Sequence, residues 1–204
     1  MSILNVLLCP DKLLVAVDTW AEDALTQKPS VGAKLLLIPQ HNLVLASCGS
    51  AQFFLKIYEL CLQASFRADF TMEQLMAELG LVMDHLWPSY LHAAAEAGMT
   101  WDILHSELVL GGWSPKAGRM MATAYAKDAA GGPARVQPLE GGVASPGEPL
   151  RGRPDSFEFD DVLEAGRLQV AYLNESVGRT VAGGRLLVAD LRREQATITD
   201  LADL

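Results

Sequence analysis

Ser2, Asp18 and Lys34 stand at equal intervals of sixteen positions, a hydroxyl, a carboxylate and an ammonium along one chain. A serine hydroxyl attacks a carbonyl only when a nearby base takes its proton. A free α-amino group, with an ordinary pKa of about 8, can be that base on the same residue. Such chemistry requires the serine to be the first residue of the mature chain. Met1 followed by small Ser2 is a context from which the initiator methionine is commonly removed. Without that chemistry, Ser2 simply suits methionine removal. Asp18 and Lys34 then read as a surface ion pair worth under roughly 1 kcal/mol.

The other reactive side chains form no comparable set. Cys9, Cys48 and Cys61 lack metal-ligand spacing and a pairing pattern, and read as thiols in a reducing compartment. His41, His85, His92 and His105 are scattered. His85 and His92 could share a helix face, but no carboxylates join them into a metal site. No metal and no cofactor is expected. The formal net charge of −9 argues against a nucleic-acid partner, whose phosphates demand a basic surface. No apolar run reaches the roughly 18 residues of a membrane helix. The apolar start of the chain is cut by Pro10-Asp11-Lys12 and has no basic lead, unlike a signal peptide. The expectation is a cytoplasmic protein that does not engage a membrane.

The elements that must position these residues follow from the hydrophobic pattern. Residues 2–9 and 13–20 read as a hairpin around Pro10-Asp11-Lys12. Lys28-Pro29-Ser30 and Gly32 mark a loop, and residues 33–38 and 43–48 form a second hairpin around 39–42. From Ser50 to Phe66 the apolar spacing turns helical. Thr71 and Gln74 then resemble a capping box for a second helix. Its face of Met72, Leu75, Met76, Leu79, Val82, Met83 and Leu86 reads as core. Pro88 is expected to kink or end that helix, with helical sequence resuming to Ala97. Strands return at 104–112 and 118–126, separated by residues 113–117. The Gly/Pro-dense stretch 129–154 reads as a loop with one short strand near 134–139. A helix over 159–175 and strands over 184–191 and 195–201 complete the chain. Segregated runs of strands and helices indicate α+β, with two sheets face to face and helices outside. Neither a repeat nor a linker divides residues 1–204, so one domain is expected.

The sixteen-residue intervals, the VAVDT strand end and the LLLIPQHNLVLASCGS run after Lys34 resemble the proteasome β-subunit family, HslV peptidase included. The resemblance extends in element order to the closing VAGGRLLVADL and implies a four-layer αββα sandwich of the N-terminal-nucleophile (Ntn) hydrolase type. It implies catalytic roles for Ser2, Asp18, Lys34 and Gly49. Ser2 would be the nucleophile. Lys34 would favour a neutral amine and a more acidic hydroxyl, and Asp18 would hold Lys34. The Gly49 N–H would stabilise the oxyanion. The reaction would hydrolyse peptide bonds through an ester on Ser2, once Met1 has left.

The resemblance further implies a homo-oligomeric ring and a peptide or unfolded-protein substrate, and names no ATPase partner. The chain also departs from the family pattern. Ser2 replaces the usual Thr, and Arg179 and Ala182 stand where an Asp and a Ser are typical. Ser145 is only a loose match to a Ser in a Gly-Ser-Gly turn, and Phe53 falls near a missing Asp. An alternative is therefore a catalytically silent Ntn-fold protein used as a ring or binding scaffold. A third reading is an amidohydrolase for small amides.

Overall fold

The computed structural model describes residues 2–100 and 104–204; Met1, whose removal the sequence reading invokes, lies outside them. Two five-stranded antiparallel sheets dominate. The first has the order β10-β1-β2-β11-β12, built from Val143–Ser145, Leu4–Leu8, Leu13–Asp18, Arg185–Arg192 and Gln195–Asp203. The second has the order β5-β6-β7-β8-β9, built from Leu35–Ile38, Leu43–Gly49, His105–Ser114, Arg119–Asp128 and Arg135–Pro138. A two-stranded ribbon pairs β3 (Trp20–Glu22) with β4 (Pro29–Val31). The α-helices among the described residues are α1 (Ala51–Ala64), α2 (Met72–Glu96) and α3 (Phe159–Val177). No helix of the described residues is long and apolar enough to cross a membrane.

Side-chain alternation assigns the faces. Strand β2 is buried along its whole length, which is why its sequence is a continuous apolar run rather than an alternating one. Leu13, Val15 and Val17 join Val44, Ala46 and Val109 of the other sheet in one apolar cluster. Leu14 and Ala16 point the opposite way, to Val162 and Val170 of α3. Gly111 on β7 leaves room for Leu13: a Cβ there would stand 2.5 Å from the leucine Cδ2. On the far face of the second sheet, Leu43, Leu45, Leu108 and Leu110 meet Phe53, Phe54, Met76, Leu79 and Met83 from α1 and α2. The methionine stripe is core, as its spacing indicates.

Caps fix the helix starts. Ser50 accepts a hydrogen bond from Phe53 N at 3.2 Å, and Thr71 accepts one from Gln74 N at 3.1 Å. The Gln74 amide does not complete the expected box with Thr71; it donates to Glu78 at 2.9 Å. Pro88 does not end α2. A proline at this point removes one intrahelical bond, and packing on either side holds the helix through it. Phe53 and Trp87 meet edge to face at 4.8 Å, with Tyr90 at 5.3 Å from Phe53.

Three other stretches differ from the sequence reading. The loop after β2 contains the ribbon β3–β4, whose three-residue strands are too short to show a period; Asp23 closes its turn by accepting from Leu25 N and Thr26 N. Strand β7 continues through Ser114, whose hydroxyl accepts from Ala117 N at 2.9 Å and so shortens the connection to β8. The Gly/Pro-rich stretch carries β10 as well as β9. Strand β10 extends the first sheet by pairing with the outer edge of β1.

Candidate functional site

Asp18 is the last residue of β2 and is fully buried, and its two oxygens are the centre of the site. Oδ1 accepts from Lys34 Nζ at 2.7 Å and from the backbone N–H of Ile3 at 3.1 Å. Oδ2 accepts from Gly183 N at 3.1 Å. One carboxylate thus ties together the start of the chain, the entry to β5 and the turn before β11. The Lys34 side chain is only 9% exposed, so this is no surface ion pair. The main chain fixes Lys34 as well, since Ser47 N donates to its carbonyl at 2.9 Å.

Ser2 is buried against the end of β6. The Cys48 thiol donates to the Ser2 carbonyl at 3.8 Å, and Gly49 follows directly. At Gly49 φ is +105°, and a Cβ would stand 2.4 Å from the His105 carbonyl oxygen. No side chain fits there. Gly49→Ala is expected to cost at least about 1–3 kcal/mol in strain alone, read as a lower urea midpoint; an unchanged midpoint would contradict this geometry.

The structure therefore brings the four sequence-derived residues to one place. Lys34 and Ser2 converge through Asp18 and the Ile3 amide, and Gly49 adjoins through Cys48. The Cys48 thiol is no rival nucleophile. Burial first, and then the charge of Glu107, push its pKa up to about 11. Iodoacetamide at neutral pH is expected to spare Cys48 in the native protein and to label it after denaturation. Peptide mapping reads the difference, and native labelling would contradict the burial described.

Arg179 and Ala182 lie apart in role. Arg179 is exposed and pairs with Glu22 of β3, while Ala182 is buried. The turn they flank is held from α3. Asn174 Oδ1 accepts from Val181 N at 2.8 Å and from Ala182 N at 3.1 Å, and its Nδ2 donates to the Ala182 carbonyl at 3.1 Å. That clamp presents Gly183 N to Asp18. Sequence reasoning missed Asn174; its only signal was a polar residue in the last turns of a helix ahead of Gly183-Gly184. Among the described residues no group of His, Cys, Asp and Glu is arranged to hold a metal ion. His41 packs on Phe70 and His92 contacts Glu96, contacts that involve none of the four residues. A cavity of about 480 Å³ opens between β1, β10, the 147–156 turn and α3. None of Ser2, Asp18, Lys34 or Gly49 lines it.

Among solved structures, the Anbu (ancestral beta-subunit) protein from Yersinia bercovieri superposes with a TM-score of 0.63, covering 98% of this chain and 88% of that one. The identity is 16%. The likeness is one of fold. No protein-family model matches the chain, and no curated protein does. The sequence resemblance to the proteasome β-subunit and HslV family is corrected accordingly: the chain shares a fold with Anbu, and membership in the β-subunit or HslV family does not follow.

Proposed function

We propose that the chain is a proteasome-related hydrolase of peptide bonds that uses Ser2 as an N-terminal nucleophile after Met1 is removed. The observation that carries this reading is the buried Asp18–Lys34 pair, linked through the Ile3 amide to the residue after Ser2. An ammonium kept out of water beside the start of the chain strengthens the local field and favours a neutral amine. The amine takes the hydroxyl proton as Ser2 Oγ attacks the scissile carbonyl, and the Gly49 N–H supports the oxyanion. The amine then protonates the leaving nitrogen, and water, deprotonated in the same way, cleaves the ester.

On this reading the whole chain is one αββα unit of Ntn type. The three apolar clusters, one between the sheets and one under the helices on each side, support that layering. Assembly into a homo-oligomeric ring that admits unfolded polypeptide belongs to the same proposal. The name ancestral beta-subunit, given to the fold neighbour, is consistent with it.

One observation favours a second reading, a catalytically silent scaffold of the same fold: Arg179 is committed to Glu22, and Ala182 offers no hydroxyl. Incubation with an unstructured polypeptide, followed by mass spectrometry of the products, separates the two. The peptidase reading expects new termini that are absent with Ser2→Ala. Identical digests from both proteins would favour the scaffold.

A further inference from the structure

We propose that Glu107 is a positioning residue of the Ser2 site, its carboxylate shared between Ser145 and the α-amine that loss of Met1 exposes. The inference rests on the peptidase reading above, because only a free amine at Ser2 gives Glu107 this task.

The residue lies on β7 directly opposite Cys48 of β6. Directly opposed residues of an antiparallel pair project to the same face, with Cβ atoms about 5 Å apart. Cys48 in turn touches the Ser2 carbonyl. The carboxylate is close enough to hold the Cys48 thiol in its protonated form, second only to burial. From the other side Ser145, which sits opposite Leu4 on the β10–β1 edge, donates its hydroxyl to Glu107 Oε2 at 3.4 Å. Glu107 is thus bracketed by both flanks of the chain start.

The support behind Ser145 is built rather than incidental. Gln169 of α3 is fully buried; its Nε2 donates to the Pro146 carbonyl at 2.8 Å, and its Oε1 accepts from Asn5 Nδ2 at 2.6 Å. That bridge fixes the 145–146 backbone to β1.

Chemistry supplies the need. An amine that acts as a base must be held with its lone pair toward the hydroxyl, which requires acceptors for its own hydrogens. Asp18 already serves Lys34, Ile3 N and Gly183 N. The position that Arg179 occupies contributes no acceptor, since its guanidinium only donates. Of the remaining carboxylates near the chain start, Glu22 is committed to Arg179, which leaves Glu107.

The sign of the effect follows. A negative charge near an amine favours its protonated form, so Glu107 raises the amine pKa while Lys34 lowers it. The other groups around the chain start are Asp18 from β2, the Cys48 thiol from β6, the His105 ring beside Gly49 on β7, and the Glu22–Arg179 pair from β3 and the turn before β11. Activity needs the neutral amine, so the acid limb of the kcat/KM profile marks its deprotonation.

The test compares pH profiles of peptide hydrolysis for the wild type, Glu107→Gln and Glu107→Asp. Glu107→Gln is expected to move the acid limb to lower pH by about 0.5–1 unit and to lower kcat more than it raises KM. Glu107→Asp keeps the charge and should keep the limb in place. The shift should persist in a His105→Gln background, which removes the imidazole beside Gly49. Ser145→Ala, which leaves the carboxylate intact, is expected to lower kcat several-fold without moving the limb. A limb that stays put in Glu107→Gln, or moves equally in both Glu107 variants, overturns the proposal. Should Glu107→Gln not fold, wild-type kcat in both Glu107→Asp and Ser145→Ala overturns it instead. A wild type with neither hydrolysis nor a covalent adduct at Ser2 would sink the peptidase reading itself, and the role of Glu107 with it. An active wild type with unaltered Glu107 variants would sink this inference alone.

Discussion

Ser2→Ala is expected to lower peptide hydrolysis by at least about a thousandfold, while changing the unfolding free energy measured in urea by no more than about 1.5 kcal/mol. The asymmetry follows from what the side chain does. Ser2 is buried, and its backbone carries a structural contact that alanine keeps, the thiol of Cys48 meeting its carbonyl. Removing the hydroxyl deletes the atom that would form the ester and leaves that backbone contact in place. Alanine at position two also permits methionine removal, so both proteins present the same amine. Retained hydrolysis in Ser2→Ala would move the chemistry elsewhere, and parallel losses of activity and stability would make Ser2 a packing residue.

Lys34→Ala has the second large effect, and it falls on the fold as well as on activity. The substitution leaves the Asp18 carboxylate fully buried with two amide donors and no cation. Breaking a buried pair from one side costs about 3–5 kcal/mol, because the remaining charge keeps its desolvation penalty. Asp18→Asn strands the ammonium in the same way. The double variant Asp18→Asn/Lys34→Ala is expected to be more stable than the single changes add up to, since neither partner is left charged. Urea unfolding of the four proteins measures the coupling. Single effects under about 1 kcal/mol with simple additivity would be those of an exposed pair, and would contradict the burial described.

These expectations depend on a part of the site that was legible in the sequence. The positions of Ser2, Asp18 and Lys34 follow from two hairpins whose strands are marked by long apolar runs and polar turns. Once β2 ends at Asp18 and β5 begins just after Lys34, the approach of the two is a matter of strand ends meeting. Burial was less legible. A carboxylate after LLVAV reads as a strand end that could face water, and only the Gly183 turn, 165 residues away, closes over it. Asn174 and Glu107 were illegible for a related reason. Their roles come from long-range neighbours, a turn clamped from α3 and a ladder register between β6 and β7, which no local pattern encodes. The short strands β3, β4 and β10 escaped because three residues cannot display a period and their flanks are rich in turn formers. Pro88 is the opposite case: α2 runs through it rather than ending there, with Trp87 and Tyr90 packed against Phe53 on either side.

The central claim is that Ser2 becomes a nucleophile with its own amine as base. Intact mass spectrometry of protein purified from cells, before and after treatment with a peptidyl epoxyketone, tests it most directly, since that group reacts with both the hydroxyl and the amine of one residue. The account predicts a chain lacking Met1 that gains one inhibitor mass, mapped to Ser2 and absent in Ser2→Ala. A chain that retains Met1, or one that lacks it and gains no adduct, would contradict the account.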